Sequence, residues 1–217
     1  MLRKVFWEDP YLAYLETEVA TVDGSNVTLT ATIIYAFSGG QESDHGTIGG
    51  HEVLDARKAG ADIIYTLPTG HGLAPGTRVA TTIDWERRYR LMRLHFAAEI
   101  VLEIVYRDLG PIEKIGAHIA ADKARIDFAR ATPVTPELAA LTARADAVIA
   151  ADLPITSAFS DIGAGRRYWQ VAGFDPVPCG GTHLKRTGEV GPLTLKRRNI
   201  GKGKERIEIF LQEPVPA

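Results

Sequence analysis

The first third of the chain alternates apolar and polar positions in short runs that turn residues separate. In EVATVDGSNVTLTATIIY, two such runs flank Asp23-Gly24, a dipeptide typical of tight β-hairpin turns. Two further runs, ADIIYTLP and TRVATTIDW, lie on either side of a Pro75-Gly76 turn. Short strands with frequent turns predict a small β-barrel-like domain over residues 1–84.

The pattern becomes helical after Asp84, whose side chain can cap the first turn of a helix. Gly110-Pro111 predicts the end of this helix. Apolar residues recur at spacings of three and four in this segment: Leu91, Leu94, Ala98, Leu102 and Val105. KIGAHIAADKARIDFA then predicts a β-hairpin through Ala121-Asp122. Thr135, as a cap followed by proline, predicts a second helix that ends near Ala150.

The last part of the chain, LTLKRRNIGKGKERIEIFL, predicts two strands joined by a Gly-Lys-Gly turn. The predicted fold class is therefore α+β. A β-barrel-like domain over residues 1–84 precedes an α+β domain over residues 85–217, which combines an antiparallel sheet with helices.

Composition limits the classes of protein that fit. Apolar residues make up 45% and charged residues 24%, as in ordinary globular proteins. The single cysteine cannot form an internal disulfide, which suits a reducing compartment. No apolar stretch is long enough to span a membrane, and the first residues lack the apolar run of a signal peptide. We expect a cytoplasmic protein without a membrane partner.

Positive charge is concentrated near the C-terminal end. The segment from Lys185 to Arg206 contains eight basic and two acidic residues. Its formal charge is therefore +6, in a chain whose net charge is −2. Such a segment suits a polyanionic partner, although a solvated strand pair would carry charges as well.

Four residues offer donor atoms for a metal. His95 and Glu99 are one helical turn apart beside the apolar stripe, and Cys179 precedes His183 by four positions in CGGTH. Two imidazoles, a thiolate and a carboxylate are all zinc donors, whereas magnesium and calcium prefer oxygen. The spacing alone also fits a simple hydrogen bond between His95 and Glu99.

Four segments carry a resemblance to a known family: SGGQESDHGTIGG, IDWERRYRLMRLHFAAE, CGGTHL and TGEVGPLTL. In this order and spacing, from Thr32 onward, they resemble the free-standing alanyl-tRNA editing proteins, relatives of the editing domain of alanyl-tRNA synthetase. The resemblance implies a zinc-dependent hydrolase. It would cleave the ester of mischarged tRNA(Ala) and remove serine, with glycine as a second candidate.

The resemblance also implies site residues. The metal ligands would be His95, Cys179 and His183, and the motif Gly39-Gly40-Gln41 would lie near the editing pocket. His118 is a possible substitute ligand, although a structural role fits it better.

The chain departs from the family at Glu99, where the family has a second helical histidine, and at Phe96, where it usually has threonine. Glu99 is then a fourth zinc ligand, a base that deprotonates water, or the mark of a site that has lost its metal.

The positions of several other residues in the sequence suggest that they contact the substrate. Thr32 and Gln41 are candidates to hydrogen-bond the serine hydroxyl, and Phe96 to narrow the pocket. Basic side chains would contact phosphates of the tRNA acceptor arm: Lys185, Arg186, Arg197 and Arg198. A tRNA-binding module without metal and a deacylase of another mischarged tRNA are the alternatives. The sequence leaves the oligomeric state open.

Overall fold

The computed structural model describes residues 2–212 and divides them into two compact units. The first unit comprises residues 2–38 and 42–89, and the second comprises residues 39–41 and 90–212. The short segment Gly39–Gln41 thus belongs with the second unit. The domain boundary between residues 84 and 85 stays a prediction.

The first unit consists of nine strands: β1 (Arg3–Lys4), β2 (Tyr14–Asp23), β3 (Asn26–Leu29), β4 (Ala31–Thr32), β5 (Gly46–Ile48), β6 (His51–Glu52), β7 (Asp55–Ala59), β8 (Asp62–Thr66) and β9 (Arg78–Ile83). Seven of them form an antiparallel sheet in the order β6-β5-β9-β2-β3-β8-β7, and β1 pairs with β4 in parallel.

The strand β2 explains how this sheet curls. Its first half, up to Glu18, pairs with β9, and its second half, from Val19, pairs with β3 across a register shift before Thr21. An irregularity of this kind bends a strand and increases its twist. The predicted hairpin around Asp23-Gly24 is confirmed, because Asp23 pairs with Asn26 at the β2–β3 turn.

The helix α1 (Trp85–Leu109) begins and ends as predicted. The Asp84 Oδ1 atom accepts a hydrogen bond from the Arg87 backbone N–H at 3.0 Å, and Gly110 follows the last turn with φ of 78°. The five residues of the apolar stripe are all buried. Residues 85–89 of the helix belong to the first unit, and residues 90–109 belong to the second.

The second unit adds one helix and seven strands: β10 (Lys114–Ile119), β11 (Ala124–Ala129), α2 (Leu138–Ala150), β12 (Thr156–Asp161), β13 (Arg166–Gln170), β14 (Val177–Pro178), β15 (Leu193–Asn199) and β16 (Lys204–Leu211). Four strands form an antiparallel sheet in the order β10-β11-β16-β15, and α2 packs against β15. Both predicted hairpins are present in this sheet.

Two details of this unit differ from the sequence prediction. Thr135 is not a cap, because a 3-10 turn over Thr135–Glu137 precedes α2 and no side chain caps either element. The sheet β12-β13-β14 was not predicted at all. Most side chains of β12 are exposed, so this strand has no alternation of buried apolar residues that a sequence pattern could reveal.

Candidate metal centre

Three side chains from distant parts of the second unit converge on one point. The helix α1 presents His95, which is 4% exposed, and the loop after β14 presents Cys179 and His183. The Cys179 Sγ atom lies 3.4 Å from His95 Nε2 and 3.3 Å from His183 Nε2. One donor atom from each of the three residues lies within 4.8 Å of the other two.

A glycine makes this convergence possible. A Cβ atom placed on Gly181 would lie 2.0 Å from His95 Cε1 and 2.9 Å from Gln41 Oε1. No side chain fits at that distance, so the imidazole of His95 packs directly on the backbone of the loop. This close approach answers why CGGTH carries glycine between its cysteine and its histidine.

The Nδ1 atoms of both histidines are engaged away from the cysteine. His95 Nδ1 donates to the Thr182 carbonyl oxygen at 3.3 Å, and His183 Nδ1 lies 2.8 Å from Ser157 Oγ. Such partners fix the tautomer of an imidazole and leave the Nε2 lone pair for a metal. Sequence analysis missed Ser157, because a serine on an exposed strand carries no signal of its own.

The donor set fits zinc. A tetrahedral zinc ion with nitrogen at about 2.0–2.1 Å and sulfur at about 2.3 Å separates these two donors by about 3.5 Å. The two observed nitrogen–sulfur separations, 3.4 and 3.3 Å, are close to that value. A thiolate with two imidazoles is also a combination that zinc prefers to magnesium or calcium.

Glu99 lies beside this group but is not one of its three members. Its Oε1 atom is 3.3 Å from His95 Nε2, and its Oε2 atom accepts a hydrogen bond from Trp169 Nε1 at 3.0 Å. Burial alone would raise the pKa of Glu99, but His95 and the Trp169 N–H together lower it to about 2. The side chain is therefore held as a carboxylate.

The two histidines experience opposite electrostatic environments. Burial lowers the pKa of His183 to about 3, and the neighbouring charge of His95 acts in the same direction. Burial also opposes a charge on His95, but Cys179 and Glu99 outweigh it and raise the pKa of His95 well above 6.5. His183 is thus neutral at physiological pH, the form in which an imidazole binds a metal, whereas His95 carries a proton in the metal-free site and would release it when a metal binds.

The glycine motif contributes one side chain to the surroundings of the metal centre. Gln41 Nε2 donates to Thr182 Oγ1 at 2.9 Å, and Gln41 Oε1 accepts from the Thr182 backbone N–H at 3.3 Å. Gly39 and Gly40 have positive φ angles of 62° and 90°, and a Cβ on Gly40 would lie 2.8 Å from the Ala117 carbonyl oxygen. The motif therefore anchors the segment between Cys179 and His183 through a buried amide.

Two other predicted pocket residues are buried in different surroundings. Phe96 is fully buried, and its ring lies 5.0 Å from Trp169 and 6.0 Å from His183 between centroids. Thr32 lies in the first unit, where its hydroxyl group is 2.7 Å from the Tyr65 hydroxyl group. Their roles toward a substrate stay predictions.

The residues that were predicted to contact phosphate form ion pairs or hydrogen bonds with carboxylate groups. Arg197 forms a two-point ion pair with Glu205 at 2.5 and 2.7 Å. The side chain of Arg198 is 61% exposed and reaches Glu208 at 3.4 Å. Arg186 pairs with Asp152, while the backbone N–H of the exposed Lys185 donates to Glu189 at 3.0 Å. A role of these residues in binding phosphate stays a prediction.

His118, the possible substitute ligand, lies in β10 opposite Arg125. It is not a member of the group formed by His95, Cys179 and His183. Over residues 2–212, the structure has no helix that is both long enough and apolar enough to span a membrane.

Comparisons with known proteins give consistent matches. Residues 167–208 match the family described as the threonyl and alanyl tRNA synthetase second additional domain. The alanyl-tRNA editing protein AlaX-M of Pyrococcus horikoshii is 33% identical over 98% of this chain and 99% of its own length. AlaX-M of Saccharolobus solfataricus is 30% identical over 95% of this chain and 98% of its own. The alanine–tRNA ligase of Pyrobaculum aerophilum is 31% identical over 90% of this chain, which spans 25% of that enzyme.

Proposed function

The chain belongs to the family of alanyl-tRNA editing proteins, and we propose that it hydrolyses the ester bond of mischarged tRNA(Ala). Seryl-tRNA(Ala) is the main substrate, and glycyl-tRNA(Ala) is the second. The relatives that support this proposal match the chain over nearly its whole length. The aminoacyl ester is already activated, so its hydrolysis needs a well-placed water molecule rather than a covalent nucleophile.

We propose that His95, Cys179 and His183 hold one zinc ion. The observation that carries this proposal is the meeting of three donor atoms, each within 4.8 Å of the other two, in a family member. When bound, zinc supplies a Lewis acid that polarises an oxygen atom next to it. Ser157 and the Thr182 carbonyl oxygen orient the two imidazoles for this purpose.

For Glu99 we retain three roles as proposals: a fourth donor through Oε1, a base that deprotonates water, or the mark of a site that has lost its metal. The distance of 3.3 Å between Glu99 Oε1 and His95 Nε2 fits an ion pair as well as two donors on one zinc ion, and Glu99 is not in the group of donors whose atoms all lie within 4.8 Å of one another.

The protein residues around the metal would also select the substrate. Rejecting alanine while accepting serine requires a polar group that hydrogen-bonds the extra hydroxyl. Gln41, which lies in the same unit as the metal centre, keeps this role as a proposal, and the role of Thr32 stays a prediction from its position in the sequence. The cytoplasm, where aminoacyl-tRNA is used, is the compartment that this function implies.

The test combines metal analysis with hydrolysis. Purified protein is analysed by elemental mass spectrometry and then incubated with seryl-, glycyl- and alanyl-tRNA(Ala). We expect about one zinc ion per chain and deacylation of seryl-tRNA(Ala) that is faster than that of alanyl-tRNA(Ala) by at least about tenfold.

Two results would contradict the proposal in different ways. A protein that binds tRNA but hydrolyses none of these substrates, even with zinc added, would be a binding module. Efficient hydrolysis of a different mischarged tRNA would retain the chemistry and replace the substrate.

A further inference from the structure

One face of the hairpin β12–β13 carries four side chains that belong together. The register pairs Ser157 with Trp169 and Phe159 with Arg167. Side chains alternate between the two faces of a strand, and directly paired residues share a face. All four therefore project from the same side of this hairpin.

Three of these four residues contact the candidate metal centre. Ser157 Oγ meets His183 Nδ1, and Trp169 donates to Glu99. Arg167 reaches the Gly181 carbonyl oxygen at 3.5 Å, and its own carbonyl oxygen accepts from the Cys179 backbone N–H at 2.9 Å. This face of the hairpin thus forms a wall of the centre.

The fourth residue, Phe159, is the exposed end of that wall. Its side chain is 40% exposed, whereas Trp169 is completely buried. The guanidinium carbon of Arg167 lies 5.3 Å from the centroid of the Phe159 ring, and Arg167 itself is only 6% exposed. A solvent-accessible aromatic ring is therefore backed by a buried cation at the margin of the metal centre.

We propose that Phe159 is the platform on which the terminal base of the single-stranded 3′ end of tRNA stacks. The proposal rests on the proposed function, in which the reacting ester is carried by the terminal ribose. The terminal base belongs to the same nucleotide as that ribose, so it must lie close to the metal centre when the ester does. Phe159 offers an aromatic ring at the margin of this centre. Unpaired bases bind in this way to exposed aromatic rings and to arginine planes.

Arg167 is a positioning residue in this arrangement. Its carbonyl oxygen accepts a hydrogen bond from the Cys179 backbone N–H at 2.9 Å, its guanidinium group lies 3.5 Å from the Gly181 carbonyl oxygen, and the Phe159 ring lies beside that group. The platform is thereby coupled to the loop that carries Cys179 and His183. Stacking on Phe159 would place the ester relative to the metal without reading base sequence.

The experiment uses an uncharged RNA minihelix of the tRNA(Ala) acceptor arm with 2-aminopurine as its terminal base. Stacking quenches the fluorescence of 2-aminopurine, so binding to the wild type should quench it. Phe159→Leu keeps an apolar side chain but removes the ring, and we expect it to lose the quenching and to weaken binding about tenfold. Phe159→Tyr should retain both.

The matched control is Ile162→Ala, because Ile162 is an 82% exposed apolar residue in the turn of the same hairpin. We expect this variant to quench the probe as the wild type does. In deacylation, Phe159→Leu should raise KM for seryl-tRNA(Ala) and leave kcat near the wild-type value.

Two outcomes would contradict the proposal that the terminal base stacks on Phe159. In one, Phe159→Leu quenches the probe as strongly as the wild type; in the other, the wild type does not quench it. A wild type that quenches the probe but hydrolyses no aminoacyl-tRNA would instead contradict the proposed function and leave the platform in place. The two failures are therefore distinguishable.

Discussion

The Sγ atom of Cys179 lies 3.4 Å from Nε2 of His95, although 84 positions separate the two residues in the chain. The contact joins a helix to a glycine loop, and the loop residue Gly181 leaves the space that the imidazole needs. A metal centre with this geometry depends on residues that donate nothing to the metal. Substitutions of these supporting residues should therefore have effects different from those of the donors.

Removing the hydroxyl group of Ser157 should weaken metal binding without abolishing it. In Ser157→Ala, His183 loses the partner of its Nδ1 atom at 2.8 Å, so the ring is no longer fixed. We expect zinc affinity to fall by about tenfold to a hundredfold, measured by competition with a chromophoric chelator. Ser160→Ala is the control, because Ser160 lies on the same strand and bonds only the Arg166 carbonyl oxygen among its described contacts. Equal affinities in both variants would contradict the positioning role.

The glycine of the metal loop should not tolerate even a methyl group. Gly181→Ala places a Cβ atom 2.0 Å from the His95 ring, so the ring or the loop must move. We expect loss of zinc from the purified protein and a free energy of unfolding lower by about 1–3 kcal/mol. Gly163→Ala, whose Cβ would meet only Asp161 at 3.5 Å, should keep both properties. A stable Gly181→Ala protein with full zinc content would show that the loop has room to adjust.

Substitutions of Glu99 should distinguish a ligand from a base. If Glu99 donates to zinc, Glu99→Ala loses zinc or binds it more weakly, whereas Glu99→His, which introduces the histidine that the family resemblance implies at this position, retains it. Elemental mass spectrometry of the three proteins gives the answer. Full zinc content in Glu99→Ala with loss of hydrolysis alone would favour the base instead.

Arg197 and Arg198 are neighbours, and we expect them to differ in their effect on tRNA binding. Arg198 is 61% exposed with one contact to Glu208 at 3.4 Å, whereas Arg197 is 27% exposed in a two-point pair with Glu205. Arg198→Ala should weaken tRNA binding and reduce the slope of log affinity against log salt by about 1. Arg197→Ala should change that slope less. If neither variant changes the slope, this hairpin is not part of the tRNA interface.

Acid should destabilise the four-stranded sheet through its carboxylates. Burial raises the pKa of Asp127, but Arg206 and Arg125 outweigh this and hold it below 3.8. Because the folded-state pKa is lowered, the stabilisation is fully present above the unfolded-state pKa and is lost progressively as pH falls from there through the folded-state pKa.

The measurement is urea unfolding at neutral pH and at about pH 3. Asp127→Asn should lose less stability between the two than the wild type does. Asp122→Asn, at the exposed turn between β10 and β11, should behave as the wild type. An equal loss of stability in Asp127→Asn and in the wild type would show that the ion pairs with Arg206 and Arg125 contribute nothing.

Features that depend on local pattern could be predicted from the order of the residues alone. Periodicity located α1 with its buried stripe, and turn residues located the hairpins β2–β3, β10–β11 and β15–β16, because neighbouring residues decide these elements. The donor types of His95, Cys179 and His183 were also recognisable, since their chemistry is a property of the residues themselves.

The surroundings of those donors, in contrast, follow from long-range packing in the folded protein. The hairpin β12–β13 has no buried apolar alternation, yet it brings Ser157 to His183 and Trp169 to Glu99. These contacts join residues that are far apart in the chain, and no local propensity encodes them. Glu99 lies beside the three converging donors rather than among them. This position likewise depends on long-range packing that forms only when the unit folds.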